Sequence, residues 1–87
     1  MLEGIDPLSL TAGRANLVRS RLQRQRRLDD AGIARWTPIE VTRKGVVYDG
    51  NHAVRVAAER GRNVVAVVTD KEGDSCGSIM NLPVTER

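Results

Sequence analysis

The 87-residue sequence has no phenylalanine and only one cysteine, one histidine, one tryptophan and one tyrosine. A single cysteine, Cys76, excludes an internal disulfide and a cysteine-based zinc cluster. Two rings, Trp36 and Tyr48, exclude a base-stacking platform of several aromatics. The core must therefore come from Val, Leu, Ile and Ala. No apolar run approaches the roughly 20 residues that cross a bilayer, so no membrane span is expected. Met1-Leu2-Glu3-Gly4 has neither the charged nor the apolar stretch of a signal peptide. What is there, 40% apolar and 29% charged residues, is the mixture of one small globular domain with a single core.

The net charge of +3 is unevenly placed. Residues 1–36 hold seven arginines against four acidic residues, whereas residues 37–87 hold seven basic and seven acidic residues. A local basic surface suits an anionic partner such as a nucleic acid, a nucleotide or an acidic protein. It equally suits a solvated helix face, because arginine is a good helix former.

The chain reads in three segments. Residues 1–36 form a basic helical segment. After the irregular lead-in Asp6-Pro7-Leu8-Ser9-Leu10, Thr11 is placed to cap a helix starting near Gly13 and running through Arg14 to Asp30. Ala15, Val18 and Leu22 give it a narrow apolar stripe, with Leu17 and Leu28 off it. Arg19, Arg21, Arg24, Arg26 and Arg27 make the nucleic-acid or partner surface, and Gly32 stops the helix. Residues 37–69 form the core. Thr37–Thr42 alternates as a strand, Arg43-Lys44-Gly45 turns, and Val46–Tyr48 returns as the second strand of a hairpin. A helix follows from Asn51 to Arg60, with Val54, Ala57 and Ala58 inward. Val64–Val68 is an apolar run suited to a strand covered on both faces. Residues 70–87 read as loop or tail, with Ile79, Met80 and Leu82 docking on the core. Trp36 reads as a core or lid anchor, and Cys76 as a cysteine with nothing nearby to activate it.

The most specific feature is the strand-to-helix turn Asp49-Gly50-Asn51-His52. A glycine there lets backbone approach a ligand, and a new helix presents free N–H groups and a positive dipole end, which suits a phosphate. His52 and Arg55, at i and i+3, share a helix face, and Glu59 lies four beyond Arg55. Arg55 suits bidentate phosphate binding. His52 suits proton transfer near neutral pH. Asp49 suits orienting His52 or holding a divalent metal. Each also has a plainer reading. Asp49-Gly50 is a common turn pair, Asn51 a favoured N-cap, His52 a surface histidine, and Arg55–Glu59 an i,i+4 ion pair.

The stretch Gly45-Val46-Val47-Tyr48-Asp49-Gly50-Asn51-His52, then Arg55 to Gly61 and Val64 to Val68, resembles the ParB/sulfiredoxin superfamily. "DGNHAVRVAAERG" looks closest to the ParB-like C-terminal domains of bacterial polymorphic toxins. The likeness covers about residues 38–69. It implies an α+β fold: a small ParB/sulfiredoxin-like domain with a short mixed sheet, a helix after the glycine turn and the Arg-rich N-terminal helix. It also implies phosphate held by Gly50, Asn51, His52 and Arg55. Gly50 matches the turn glycine, and Arg55 the later of two arginines in ParB-type helices. The earlier arginine is Ala53 here. The position of the sulfiredoxin cysteine is Asn51, so sulfinic acid reduction is not implied.

The resemblance therefore implies a toxin effector domain: a nuclease acting on DNA or RNA, with His52, Arg55 and Asp49 catalytic. Asp49 and Glu59 would recruit Mg²⁺ or another divalent metal. A basic module with no signal peptide suits a part of a larger secreted or delivered protein. It would act in the target-cell cytoplasm and be neutralised by a cognate immunity protein. Two alternatives use the same residues: a nucleotide-binding or NTP-hydrolysing module, and a non-catalytic interaction domain.

Overall fold

The computed structural model describes residues 2–33 and 38–86. Trp36 and Thr37 lie outside them. The elements in order are β1 (Leu2–Ile5), a 3-10 turn at Pro7–Ser9, β2 (Leu17–Val18), α1 (Arg19–Asp30), β3 (Ile39–Val41), β4 (Val47–Asp49), α2 (Asn51–Glu59), β5 (Val64–Val68), a 3-10 turn at Ile79–Asn81, and β6 (Val84–Thr85). Two helices with a mixed sheet make an α+β protein. The sheet order is β1-β5-β3-β4. β3 pairs antiparallel with β4 and parallel with β5, and β1 adds antiparallel to the far side of β5. The second sheet is a parallel pair, β2 with β6.

The hairpin, α2 and β5 lie where local chemistry puts them. The β3–β4 turn closes through Thr42 N–H donating to Val46 O at 2.8 Å, with the Thr42 hydroxyl accepting from Val46 N–H. Both helices end in the same hydrogen-bonded motif. The Ile33 N–H reaches Leu28 O at the end of α1, and the Arg62 N–H reaches Ala57 O at the end of α2, around Gly32 and Gly61. This is the arrangement a left-handed residue after the last turn allows.

One buried cluster draws on all three segments: Leu10, Ala12, Leu17 and Leu22; Ile39, Val41, Val47, Val54, Val56 and Ala66; and Ile79 and Leu82. The C-terminal stretch is thus structural. Ile79 is fully buried and Leu82 nearly so, whereas Met80 is exposed. Salt bridges hold α1 against α2. Asp29 takes Arg60 at 2.5 Å and Arg62 at 2.6 Å, and Asp30 also takes Arg60.

Four expectations need correction. First, α1 begins at Arg19, not near Gly13, and Val18 occupies its N-cap. Leu17 is fully buried in β2 while Ala15 is exposed. A burial demand and pairing with β6 override helix propensity over residues 14–18. Second, the lead-in Asp6–Leu10 is not irregular throughout: Pro7–Ser9 is a 3-10 turn whose first turn the Asp6 side chain caps by accepting from the Leu8 N–H. Third, β5 is covered on one face only: Ala66 is buried, but Val65 is 41% exposed. Fourth, Val56 is buried beside Val54, so the inward surface of α2 is wider than the expected stripe.

Candidate phosphate-binding cleft

The end of β4 carries an irregularity. Val41 pairs with Val47 but Glu40 pairs with Asp49, so one extra residue lies in β4. Such a bulge re-aims side chains, and Tyr48 and Asp49 are both exposed after the buried Val47. Gly50 follows with φ of 103°, the left-handed region that glycine tolerates, and is the N-cap of α2. It supplies no side chain to cap the helix. The first-turn N–H groups of α2 have no acceptor within the helix.

Gly13 passes close over this turn. Its N–H donates to Asn51 Oδ1 at 3.0 Å, and Asn51 Nδ2 donates to Val47 O at 3.3 Å. A Cβ on Gly13 would lie 2.0 Å from Val47 O. Only glycine fits, and that close pass sets Arg14 beside the turn. At the second residue of α2, His52 Nε2 accepts from the Val18 N–H at 2.9 Å. The first turn of α2 is therefore tied to the chain just before α1.

These ties create a cleft of about 510 Å³ between the start of α2 and α1. It is lined by Arg14, Arg21, Arg24, Asp49, Gly50 and His52, with Gly13, Gln25, Tyr48, Asn51 and Ala53. Arg21 and Arg24 are three apart on α1 and so share a face. Arg14 Nε is buried and has no hydrogen-bond partner. Burial pushes the His52 imidazole below its ordinary 6.5, and the charges of Arg14 and Arg21 push it further down. Three guanidinium groups, a helix N-terminus and one carboxylate make a net cationic cleft, suited to phosphate oxygens.

The expected site residues separate into two groups. Asp49, Gly50, Asn51 and His52 line the cleft. Asn51 spends its side-chain amide on Gly13 and Val47, so what it can offer an anion is its backbone N–H. His52 uses Nε2 as an acceptor, which leaves its neutral ring the N–H at Nδ1 and no free lone pair for taking a proton. Arg55 is not in the cleft. Its Nε donates to Glu59 Oε2 at 3.0 Å and its Nη1 to Ile79 O at 3.3 Å. Arg26 reaches the same carboxylate with two bonds, 3.0 and 2.6 Å long. Hydrogen bonds from Arg26, ahead of those from Arg55, hold the Glu59 carboxyl below its ordinary range, although burial opposes this. Arg55, Glu59 and Arg26 thus form a structural clip between the helices.

A divalent cation does not fit the pair Asp49 and Glu59. Glu59 is saturated by two arginines away from the cleft. Among the described residues, no group of three or more His, Cys, Asp or Glu side chains is placed to hold a metal ion. Of the expected basic surface, Arg21 and Arg24 line the cleft, Arg19 pairs with Glu86 at 2.9 Å, and Arg27 is exposed on α1. Gly13, Arg14, Gln25, Tyr48 and Ala53 are the lining residues that sequence reasoning left out of the site. The i,i+3 spacing of Arg21 and Arg24 was a usable signal; nothing in the sequence spacing ties either to a turn near residue 50. No helix is long and apolar enough to cross a membrane among the described residues.

No family model matches the chain, and neither a curated protein nor a solved structure matches it.

Proposed function

We propose that this chain is an effector domain of ParB-like toxin type that grips the phosphates of a nucleic acid in the cleft. The observation that carries the reading is the convergence of Arg14, Arg21 and Arg24 on the N-terminus of α2. A buried, unpartnered guanidinium N–H on Arg14 adds to it, because a buried donor without an acceptor is costly and an anion would supply one. The Nδ1–H of His52 is a further donor at the same turn.

As a nuclease the domain would hold the scissile phosphate at the Gly50 turn and stabilise its developing charge with the arginines. Arg14, Arg21 and Arg24 take the charge-stabilising place first assigned to Arg55. His52 contributes a hydrogen bond rather than a proton-accepting lone pair. An acidic immunity protein would engage the exposed arginines of α1 and close the cleft.

The test is to incubate the chain with plasmid DNA, total RNA and nucleoside triphosphates in a magnesium buffer, beside Arg21→Ala and Arg24→Ala. Polynucleotide cleavage, lost in both variants, is the expected result. Turnover of nucleoside triphosphates alone would move the reading to a nucleotide hydrolase, which the size of the cleft also suits. No turnover and no binding of any of them would overturn the reading in favour of an interaction domain.

A further inference from the structure

Beside the cationic part of the cleft stands one aromatic ring. Tyr48 follows the buried Val47 in the bulged end of β4 and is 42% exposed. It lines the same cleft as Arg14, Arg21 and Arg24. The ring is steadied from the loop after β5. The Lys71 ammonium lies 5.0 Å from the ring centroid. Gly73 lies beside it, at a spacing where even a Cβ would make only ordinary contact with Tyr48 Cδ1 at 3.9 Å. The exposed part of the ring stands on β4, at the edge of the four-stranded sheet.

We infer that Tyr48 is a stacking platform for one unpaired nucleobase whose adjacent phosphate lies at the Gly50 turn. The inference rests on the phosphate-binding reading above and adds the class of ligand: a nucleotide with an unstacked base, as in a single strand or a free nucleotide. The ring offers a π-face, and every base has one, so the contact selects for an exposed base rather than for a base type. Tyr48 stands two residues before Gly50 and lines the same cleft, so the ring and the helix N-terminus are side by side. A base paired within a duplex cannot reach the ring without leaving its stack.

The test titrates the full chain with four ligands at fixed salt. They are a ten-nucleotide oligothymidine, an abasic strand of the same length, the corresponding duplex, and inorganic tripolyphosphate. The oligothymidine should bind about tenfold tighter than the abasic strand, the effect of a single base stack. The duplex should bind like the abasic strand. Tyr48→Ala should erase the tenfold difference and leave tripolyphosphate binding unchanged; Tyr48→Trp and Tyr48→Phe should keep the difference. A nucleoside triphosphate in place of the oligothymidine separates a free nucleotide from a strand as the source of the base. Equal binding of the oligothymidine and abasic strands, with tripolyphosphate bound, would overturn the inference and leave the phosphate cleft standing. Failure to bind tripolyphosphate and both strands would overturn the two together.

Discussion

The imidazole of His52 and the backbone of Val18 are joined by one hydrogen bond, Val18 N–H to Nε2, at 2.9 Å. The bond holds the first turn of α2 against the start of α1, and so fixes the two walls of the cleft. It requires the neutral ring. A proton on Nε2 would remove the acceptor and place a third cation near Arg14 and Arg21.

Stability should therefore fall in mild acid. The folded-state pKa of His52 lies below the ordinary 6.5, so between those two values the unfolded chain binds more protons than the folded one. Stability is unaffected by this group above about pH 6.5, and is lost as pH falls below it towards the folded-state value. Urea unfolding at pH 8 and pH 5.5 measures the drop. His52→Ala should cost about 1–3 kcal/mol at pH 8, because it strands the Val18 N–H, and should flatten the pH dependence in that window. An unchanged pH dependence in the variant would show that His52 is not the titrating group.

The Glu59 clip predicts a separate, more acidic transition. Its carboxyl is held below its ordinary 4.5 by Arg26 and then Arg55, so its contribution is present above about that pH and is lost as pH falls through the folded-state value. Glu59→Gln should cost about 1–2 kcal/mol at neutral pH, with Arg26 and Arg55 left half-shielded and unpaired. The variant should not lose that increment again in acid. Thermal melts at pH 7 and pH 3.5 check both.

Removing individual arginines should discriminate cleft from surface. Arg24→Ala should lower the slope of log affinity against log salt for a single strand by about 0.7. Arg27→Ala, on α1 but outside the cleft, should leave the slope nearly unchanged. Salt titrations of oligonucleotide binding by fluorescence anisotropy give both numbers. Equal losses would place the strand along the helix surface instead.

Gly13→Ala should destabilise by about 1–3 kcal/mol. The new methyl falls on the Val47 carbonyl, and the loop must lift to relieve it, taking Arg14 and the Asn51 bond with it. The loss should appear as a lowered Tm together with weaker tripolyphosphate binding. A variant with the wild-type Tm would show that the loop yields without strain.

What was legible in the sequence was the part governed by neighbours along the chain. The β3–β4 hairpin, the start of α2 and the limits of β5 follow from the glycines at 45, 50 and 61 and from an apolar run bounded by polar residues. β1 was not legible: Leu2-Glu3-Gly4-Ile5 has an interior glycine and is a strand because β5 offers it an edge. The early start expected for α1 failed at Leu17. Its burial depends on Pro83 and Val84 near the other end of the chain, where Leu17 N–H donates to Pro83 O at 3.0 Å. The glycine turn at residue 50 opening a helix was legible, but the arginines that line the cleft beside it were not. Arg55 shares a helix with His52, and spacing alone favoured it. Arg14, Arg21 and Arg24 arrive from another element, carried there by Gly13, Asn51 and His52.

The parallel pairing of Leu17 and Val18 with Val84 and Thr85 joins two stretches far apart in the sequence. Thr85 also donates its hydroxyl to Leu17 O and accepts from Asn16 Nδ2 at 2.9 Å. Asn16 lies between Arg14 and Val18, in the stretch that carries one wall of the cleft. None of these bonds can form until residues 84 and 85 have been made. The arginines of α1 and the glycine turn therefore precede, in order of synthesis, the strand that holds the Arg14–Val18 stretch, so that wall of the cleft is set only once β6 is in place.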